Sequence, residues 1–355
     1  MPQKYLVGAF NVRHFSINKF QDGMDTQELL IKILRRYDIV FLQEVRDKEE
    51  PTSRDIMGGT SGAPVSVNSN LIARVVNKVS TPERRYDAVV SSPIGRTNHK
   101  ERYVYLYRTD LFTPTSVHLF DDDVAGDIFE REPYSVKFRL NSNPSVELGI
   151  LGVHIKPTEA VKEIGALPMV FDIVVKEFTK PQAQAPPPQP QPNYQYAPTP
   201  APVARDKPEK KWYELLFSCL CGSPDDEDQP SNNYPMQPQQ PPPQQYPPPP
   251  VSTTLIGPII MGDLNAGKNY VSKKSQATLE VFTNSEKFKC LIDNDADTTV
   301  NTTNYAYDRI IVPSFQQSHF SEGKVYRFDE VFNLTREKAL EVSDHYPVEV
   351  EVTVY

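Results

Sequence analysis

The 355-residue chain is poor in cysteine, with three residues in all, Cys219, Cys221 and Cys290. Two lie two positions apart and the third stands alone, so the sequence predicts no disulfide framework. It also lacks an apolar run long enough to span a membrane, and its N-terminus lacks the apolar core of a signal peptide. These absences predict an intracellular protein of the cytoplasm or nucleus.

Basic residues are also in deficit. Lys and Arg number 38 against 46 Asp and Glu, which gives a formal net charge of −8. A protein that coats nucleic acid is typically basic, so that class is disfavoured. An enzyme that acts on nucleic acid through a few arginines and divalent cations remains compatible, because carboxylate ligands themselves add negative charge.

Proline is concentrated in one stretch. Most of the 34 prolines lie between Pro181 and Pro250, among Gln, Tyr and Asn. Clustered prolines cannot continue a helix or fill a central strand, so this stretch is predicted to be a disordered insertion. Strand-like segments lie on both sides. The predicted organisation is one discontinuous catalytic domain, residues 1–180 and 251–355, interrupted by residues 181–250.

The insertion contains two candidate interaction segments. Trp212–Cys221 is apolar and follows a basic cluster, so Cys219 and Cys221 are candidates for acylation and membrane contact. The alternative, which the sequence favours, is a segment that packs on the domain or binds nothing. The polyproline runs 241–243 and 247–250 are typical of ligands for SH3 or WW domains.

Elsewhere the sequence alternates between helix and strand patterns. Asp25 is predicted to cap a helix, and residues 158–178 to form another with Val161 on its buried face and Pro168 as a kink. The predicted strands are 86–92, 102–108, 133–140, 147–153, 256–261, 307–312 and 348–354. This mixture predicts a layered α/β fold.

Five segments end in polar residues suited to one site. Ser343-Asp344-His345-Tyr346-Pro347-Val348 offers a metal-binding carboxylate beside an imidazole for proton transfer. Four apolar segments end in the same kinds of group, at Asn11, Glu44, His154 and Asp263-Leu264-Asn265. For each alone, a polar strand cap is the simpler interpretation. Because ligands collect at the carboxyl edge of open α/β sheets, the set together predicts an active site.

Longer motifs then identify a family. They are Gln43–Asp47, Gly95-Arg96 with Lys100–Tyr103, Arg131–Pro133, Val153-His154, Met261–Gly267, Ala306–Arg309 and Ser343–Val348. In this order they resemble deoxyribonuclease I, within the endonuclease/exonuclease/phosphatase superfamily, over roughly residues 4–178 and 255–354. The resemblance implies a four-layered α/β sandwich, in which two packed mixed sheets are flanked by helices. It also implies metal-dependent endonucleolytic hydrolysis of double-stranded DNA to 5′-phosphate products.

The resemblance assigns roles to individual residues. It pairs His154 with Glu101 and His345 with Asp308 for general acid–base catalysis. The implied ligands for catalytic Mg²⁺ or Mn²⁺ are Asn11, Glu44, Asp263, Asn265 and Asp344. The implied contacts to DNA and phosphate are Arg13, Arg46, Arg131 and Tyr307. Structural or activating Ca²⁺ is implied at Asp297, Thr299, Asn301 and Thr303, and at a second site with Asp127 and Glu132.

The chain departs from the family pattern at several positions. Lys268 and Tyr305 stand where secreted members commonly carry a disulfide, and His99 stands where an aromatic residue is frequent. Residues 87–90 partly match an actin-binding edge strand, but the bulky Tyr134 argues against actin. We expect a monomer. Two alternatives stay open, namely a non-catalytic binding module on this fold and a phosphoesterase acting on lipid or inositol phosphates.

Overall fold

Twelve strands form the centre of the protein in this computed structural model, which describes residues 2–46, 70–96, 100–122, 126–180 and 253–355. They are β1 Gln3–Phe15, β2 Ile39–Val45, β3 Tyr86–Val90, β4 Arg102–Arg108, β5 Phe112–Leu119, β6 Tyr134–Leu140, β7 Val146–His154, β8 Thr254–Asp263, β9 Phe288–Cys290, β10 Asp308–Pro313, β11 Lys324–Val325 and β12 Val348–Val354. The first sheet has the order β11-β12-β1-β2-β4-β3 and the second β5-β6-β7-β8-β10-β9. Both sheets are mixed, because β1–β2 and β7–β8 pair in parallel and the other neighbours are antiparallel.

Helices cover the outer faces of both sheets. They are α1 Asp25–Leu34, α2 Asn70–Val79, α3 Ala160–Thr179, α4 Lys273–Gln276, α5 Glu280–Thr283, α6 Phe328–Val331 and α7 Arg336–Val342, with 3₁₀ turns at Pro157–Glu159 and Ser314–His319. One apolar core lies between the sheets, a second lies under α1, α2 and α7, and a third lies under α3. The predicted four-layered α/β sandwich is therefore confirmed.

Burial explains why the strands at the site lack alternation. All nine residues of β7 are buried, and all but one residue of β2. A parallel strand packed on both faces needs apolar side chains at every position. The same parallel pairing aligns carboxyl ends, since Asn11 lies opposite Gln43 and His154 lies opposite Asp263.

Several local predictions were wrong. Asp25 is the first residue of α1, while Met24 occupies the N-cap position and makes no side-chain cap. Val161 is 39% exposed because the buried stripe of α3 starts at Ala160 instead. The helix continues through Pro168 as one element, and the kink at Pro168 stays a prediction. Sequence patterns also missed α2 and β5.

Residues on both sides of the predicted insertion belong to one sheet, because β7 pairs with β8. Residues Met1–Ala183 and Pro250–Tyr355 form one compact unit. The insertion itself, with Trp212, Cys219 and Cys221, lies outside the described residues. Within the described ranges Cys290 is a free thiol, and none of the helices combines the length and apolar character that crossing a membrane requires.

Candidate active site

Polar side chains from both sheets meet where the parallel strands end. The Asn11 side-chain amide lies 3.3 Å from Glu44 Oε1 and 3.2 Å from Asp263 Oδ2. Asn11 and Glu44 belong to the first sheet and Asp263 to the second. A single amide therefore connects the two sheets at their carboxyl edge.

The first histidine–acid pair joins His154 to Glu101. His154 Nδ1 lies 2.7 Å from Glu101 Oε1, and the same oxygen lies 3.0 Å from Arg131 Nε. The His154 backbone N–H donates to the Tyr103 hydroxyl at 2.7 Å. Burial lowers the pKa of His154, but the carboxylates of Glu101 and Asp263 together outweigh burial and raise that pKa, while Arg131 opposes the rise.

The second pair joins His345 to Asp308. His345 Nδ1 lies 2.8 Å from Asp308 Oδ2. The other carboxylate oxygen, Oδ1, is buried without a hydrogen-bond partner in the described part of the chain. Burial lowers the pKa of His345, but the carboxylates of Asp308 and Asp263 outweigh burial and raise that pKa to about 10.

Both imidazoles approach the same carboxylate. The Nε2 atoms of His154 and His345 each lie 3.7 Å from Asp263 Oδ2. Burial raises the pKa of Asp263, and both histidines act to lower it. Two proton-carrying groups therefore flank one oxygen-rich position from opposite sheets.

The donor set at this position fits a hard divalent cation. Burial raises the pKa of Glu44, but His154 and the His14 N–H outweigh burial and lower the pKa to about 2, so Glu44 is ionised at neutral pH. Glu44 and Asp263 share a single amide donor, and oxygen ligands of this kind suit Mg²⁺ or Mn²⁺. Ligand atoms of Asp263, Asp308 and His345 also lie within 4.8 Å of one another. A metal bound to that second set would compete with the hydrogen bond of the His345–Asp308 pair.

The remaining predicted ligands support this position in different ways. Asn265 donates its backbone N–H to Asp263 Oδ1 at 2.9 Å and its amide to the Ile155 carbonyl at 2.9 Å. Asp344 lies 3.5 Å from Arg13 Nε. Asn265 is thus placed to orient Asp263, and Asp344 forms a long ion pair with Arg13 at the edge of the site.

Backbone strain is concentrated at the site. Left-handed φ angles occur at Arg13 (24°), His14 (53°), Glu44 (56°) and Asn265 (47°). Such angles are unfavourable outside glycine and are retained mainly where function requires the geometry. Gly262 has a φ of 135°, and a Cβ there would overlap the Val153 carbonyl oxygen.

The four residues predicted to contact phosphate and DNA differ in how exposed their side chains are. Arg13 and Arg46 are exposed, and Arg131 is half-buried beside Glu101. The Tyr307 ring lies 6.0 Å from His345 and stacks on Tyr305, with centroids 5.0 Å apart and planes 3° apart. In the sequence Tyr305 stands out only as a position without the family's cysteine, and no pattern there predicts this stack.

An arginine side chain contacts an aspartate of each predicted calcium loop. Asp297 Oδ1 accepts from the Thr299 backbone N–H at 3.4 Å. The Thr299 hydroxyl lies 3.4 Å from the same oxygen and 3.2 Å from the Thr303 carbonyl, so it can donate to either one, and Asn301 is exposed. The second oxygen of Asp297 lies 3.3 Å from Arg327 Nη1.

At the second predicted calcium loop, Asp127 Oδ1 lies 2.6 Å from Arg96 Nη2. Glu132 Oε2 is buried without a hydrogen-bond partner among the described residues. Neither calcium site is tested by these contacts, and both stay predictions. His99 lies outside the described residues. Tyr134 is buried at 5% exposure, so its bulk does not bear on an edge partner of β3 and actin binding is also untested.

Sequence analysis missed the residues that position the pairs. Glu163 is fully buried on α3 and accepts from the backbone N–H groups of Glu130 and Lys156, each at 3.0 Å. These acceptors fix the segments that carry Arg131 and His154. An acid within the buried stripe of a predicted helix was the available signal, because buried carboxylates need partners.

A second positioning group holds the strained end of β1. Lys19 Nζ donates to the Arg13 carbonyl at 2.7 Å and to the Val12 carbonyl at 3.0 Å. Ser343 Oγ donates to the Asn11 carbonyl at 2.6 Å and accepts from the His345 N–H at 3.2 Å. Hydroxyl and ammonium side chains are too common in sequences for these contacts to be predicted.

The two packed mixed sheets bring two buried histidine–acid pairs to one oxygen-rich edge. Residues 8–345 match the Endonuclease/Exonuclease/phosphatase family, and the chain belongs to that family. It is therefore an enzyme of this nuclease and phosphatase superfamily.

Two curated relatives match nearly the whole chain. Deoxyribonuclease-1 of Bos taurus is 28% identical over 356 residues, covering 98% of this chain and 92% of its own length. Deoxyribonuclease-1-like 2 of Mus musculus is 29% identical and covers 97% and 90%. A solved endonuclease/exonuclease/phosphatase from Bacteroides vulgatus shares the fold, with a TM-score of 0.50 at 12% identity over 99% of this chain and 100% of its own.

Proposed function

We propose that the chain is a divalent-metal-dependent endonuclease that hydrolyses double-stranded DNA to 5′-phosphate products. The observation that carries this proposal is the convergence of His154 Nε2 and His345 Nε2 on Asp263 Oδ2, each at 3.7 Å. The match to deoxyribonucleases over nearly the whole chain supports DNA as the substrate.

The two pairs suit the two proton transfers that hydrolysis needs. One imidazole removes a proton from water as the water oxygen forms a bond to phosphorus. The other donates a proton to the 3′ oxygen as its bond to phosphorus breaks, which leaves a 3′-hydroxyl and a 5′-phosphate. Glu101 and Asp308 contact the Nδ1 atoms, so both Nε2 atoms are left free to face the position beside Asp263.

Their surroundings favour different roles. Arg131 lies against the oxygen of Glu101 that contacts His154, and its charge opposes protonation of that imidazole. His345 faces Asp308 and Asp263, which raise its pKa to about 10. We therefore assign His154 as the base that receives the proton from water and His345 as the acid that protonates the leaving oxygen.

Glu44, Asp263 and Asn11 are the residues that would hold the cation, with Asn265 orienting Asp263 and Asp344 at the rim. When bound, Mg²⁺ or Mn²⁺ supplies positive charge that stabilises the phosphoryl oxygens in the transition state. Arg13 and Arg46 are exposed, and they are the proposed contacts to flanking phosphates through their guanidinium groups.

A plasmid-nicking assay tests this function. Purified protein should convert supercoiled plasmid to nicked and linear forms with Mg²⁺ or Mn²⁺, and EDTA should stop the reaction. The same preparation should be assayed on a phosphoinositide and on sphingomyelin. Intact plasmid together with hydrolysis of either lipid would instead establish the lipid-phosphoesterase alternative, and inactivity on every substrate would favour a non-catalytic module.

A role in localisation is proposed for the insertion. Trp212–Cys221 is a candidate anchor through Cys219 and Cys221, and the polyproline runs are candidate SH3 or WW ligands. A tagged Cys219→Ser/Cys221→Ser variant should leave the membrane fraction if the anchor operates. Fractionation identical to wild type would reject the anchor.

A further inference from the structure

The loop of residues 297–303 and helix α6 meet through one arginine, Arg327. Its guanidinium lies against three carboxylates, with Nη1 3.3 Å from Asp297 Oδ2, Nε 3.5 Å from Asp329 Oδ1 and Nη2 3.6 Å from Glu330 Oε1. Its Cζ atom lies 4.3 Å from the centroid of the Tyr346 ring. This arrangement combines ion pairing with a cation–π contact.

Asp297 is the first residue of the loop that the sequence predicts to bind calcium. A loop of this kind needs positive charge to hold Asp297 and the threonine oxygens in place. Here the Asp297 carboxylate uses one oxygen for Thr299 and the other for Arg327. A calcium ion that ligates Asp297 would have to displace Arg327 or share the carboxylate with it, and the nearby guanidinium would repel the ion.

The loop held in this way supports the second histidine–acid pair. Thr298 Oγ1 accepts from the backbone N–H groups of Tyr307 at 3.0 Å and Asp308 at 3.2 Å. The Thr298 carbonyl accepts from the Tyr346 N–H at 2.8 Å, and Thr299 forms a β-bridge with His345. Displacement of this loop would therefore move both Asp308 and His345.

Arg327 reaches the same pair from its other side. Its ring partner Tyr346 follows His345 directly, and the Tyr346 hydroxyl donates to Asp329 Oδ2 at 2.7 Å. One side chain thus contacts the loop before Asp308 and the residue after His345. Its location between these segments gives it a positioning role without contact to a reacting group.

We propose that Arg327 supplies the positive charge that the family resemblance assigns to a calcium ion at residues 297–303, and that it thereby positions the His345–Asp308 pair. The effect of Arg327 on catalysis rests on the proposed function. The effect of Arg327 on the loop does not depend on the reaction.

Thermal unfolding in saturating Mg²⁺, with added Ca²⁺ or with EGTA, tests the charge replacement without any activity measurement. Arg327→Met and Asp297→Asn should each lower Tm by roughly 2–4 °C. The double variant should lose less stability than the sum of the two single losses, because the contact between Arg327 and Asp297 is removed by both changes. The Ca²⁺-induced rise in Tm should be equal in wild type and Asp297→Asn.

Lys338→Met is the control, because Lys338 forms ion pairs with Asp25 and Glu341 that are more exposed and lie away from the loop. This variant should change Tm by no more than about 1 °C, and it should leave the Ca²⁺-induced rise in Tm unchanged. A larger Ca²⁺ response in wild type than in Asp297→Asn would show that calcium binds the loop and would overturn the proposal. Additive losses in the double variant would also overturn it.

Catalysis provides the positioning readout. On plasmid DNA, Arg327→Met should lower kcat roughly ten-fold with KM nearly unchanged, and Arg327→Lys should recover part of the loss because it keeps the charge. If Arg327→Met does not fold, Arg327→Lys carries both measurements. Normal kcat in a variant whose Tm has fallen would reject the positioning role, whereas an inactive wild type would reject the proposed function and leave the thermal result standing.

Discussion

The two histidine–acid pairs have opposite origins in the fold. In the first, Glu101 precedes β4 of one sheet and His154 ends β7 of the other. In the second, Asp308 begins β10 of the second sheet and His345 precedes β12 of the first. Each pair thus crosses between the sheets, and the exchange of partners places the two imidazoles on either side of Asp263.

The pairs also differ in the groups that contact their acids. Glu101 shares its oxygen with Arg131, while one buried oxygen of Asp308 has no hydrogen-bond partner among the residues that the structure describes. A cation beside the acid reduces its pull on the imidazole proton. The same two residue types therefore have different charged neighbours, with Arg131 opposing protonation of His154 while Asp308 and Asp263 favour protonation of His345.

The largest expected effect comes from removing either imidazole. His154→Ala and His345→Ala should each lower kcat by about 10²–10⁴-fold, the usual loss for a positioned acid or base. The measurement is plasmid cleavage, with Tm as the control for folding. Activity within a few-fold of wild type at normal Tm would remove that histidine from the mechanism.

Asp308→Asn should lower kcat roughly 10²-fold and change the pH dependence of kcat/KM. The amide cannot hold His345 in its charged form, so the pKa of His345 falls and the acid is lost at lower pH. The basic limb of kcat/KM against pH should move downward. A basic limb at the wild-type position would assign the acid to another group.

Arg131→Met should remove the cation beside Glu101, so that the His154–Glu101 pair, like the His345–Asp308 pair, has no arginine ion-paired with its acid among the described residues. Loss of the guanidinium raises the pKa of His154, so the base becomes available only at higher pH and the acidic limb of kcat/KM moves upward. We expect about a ten-fold loss below neutral pH and a smaller loss above it. A loss independent of pH would show that Arg131 acts on phosphate alone.

Glu163→Gln should have a smaller effect. Glutamine retains one acceptor oxygen, so one of the buried N–H groups of Glu130 and Lys156 loses its partner. The free energy of unfolding should fall by about 1–3 kcal/mol, and kcat should fall a few-fold because the segment of His154 loosens. Chemical denaturation measures the first and plasmid cleavage the second; unchanged values for both would exclude a positioning role.

The stability contributed by the His345 pair should depend on pH. Its pKa rises from 6.5 in the unfolded chain to about 10 in the folded protein, so this contribution is complete below pH 6.5 and is lost as pH rises towards 10. In EDTA, the difference in unfolding free energy between wild type and Asp308→Asn should shrink over that range. A constant difference would mean that His345 is already neutral.

Sequence patterns predicted much of this protein because its buried strands are continuous apolar runs. Leu148–Val153 and Ile259–Met261 needed no tertiary information, and the long motifs at their ends identified the family. Boundaries were less certain, as at Asp25 and Val161, because one residue decides which side of a helix is buried and that choice depends on the packing partner.

By itself the sequence determined which chemical groups stand at the strand ends, since strand length and burial follow from local composition. Tertiary structure alone decided that Glu101 faces His154 and Asp308 faces His345, because each pair spans two sheets and no spacing along the chain encodes a contact between them. It also decided which charged groups surround each histidine and which cation contacts Asp297. Those properties depend on neighbours such as Arg131 and Arg327, whose positions result from the packing of both sheets.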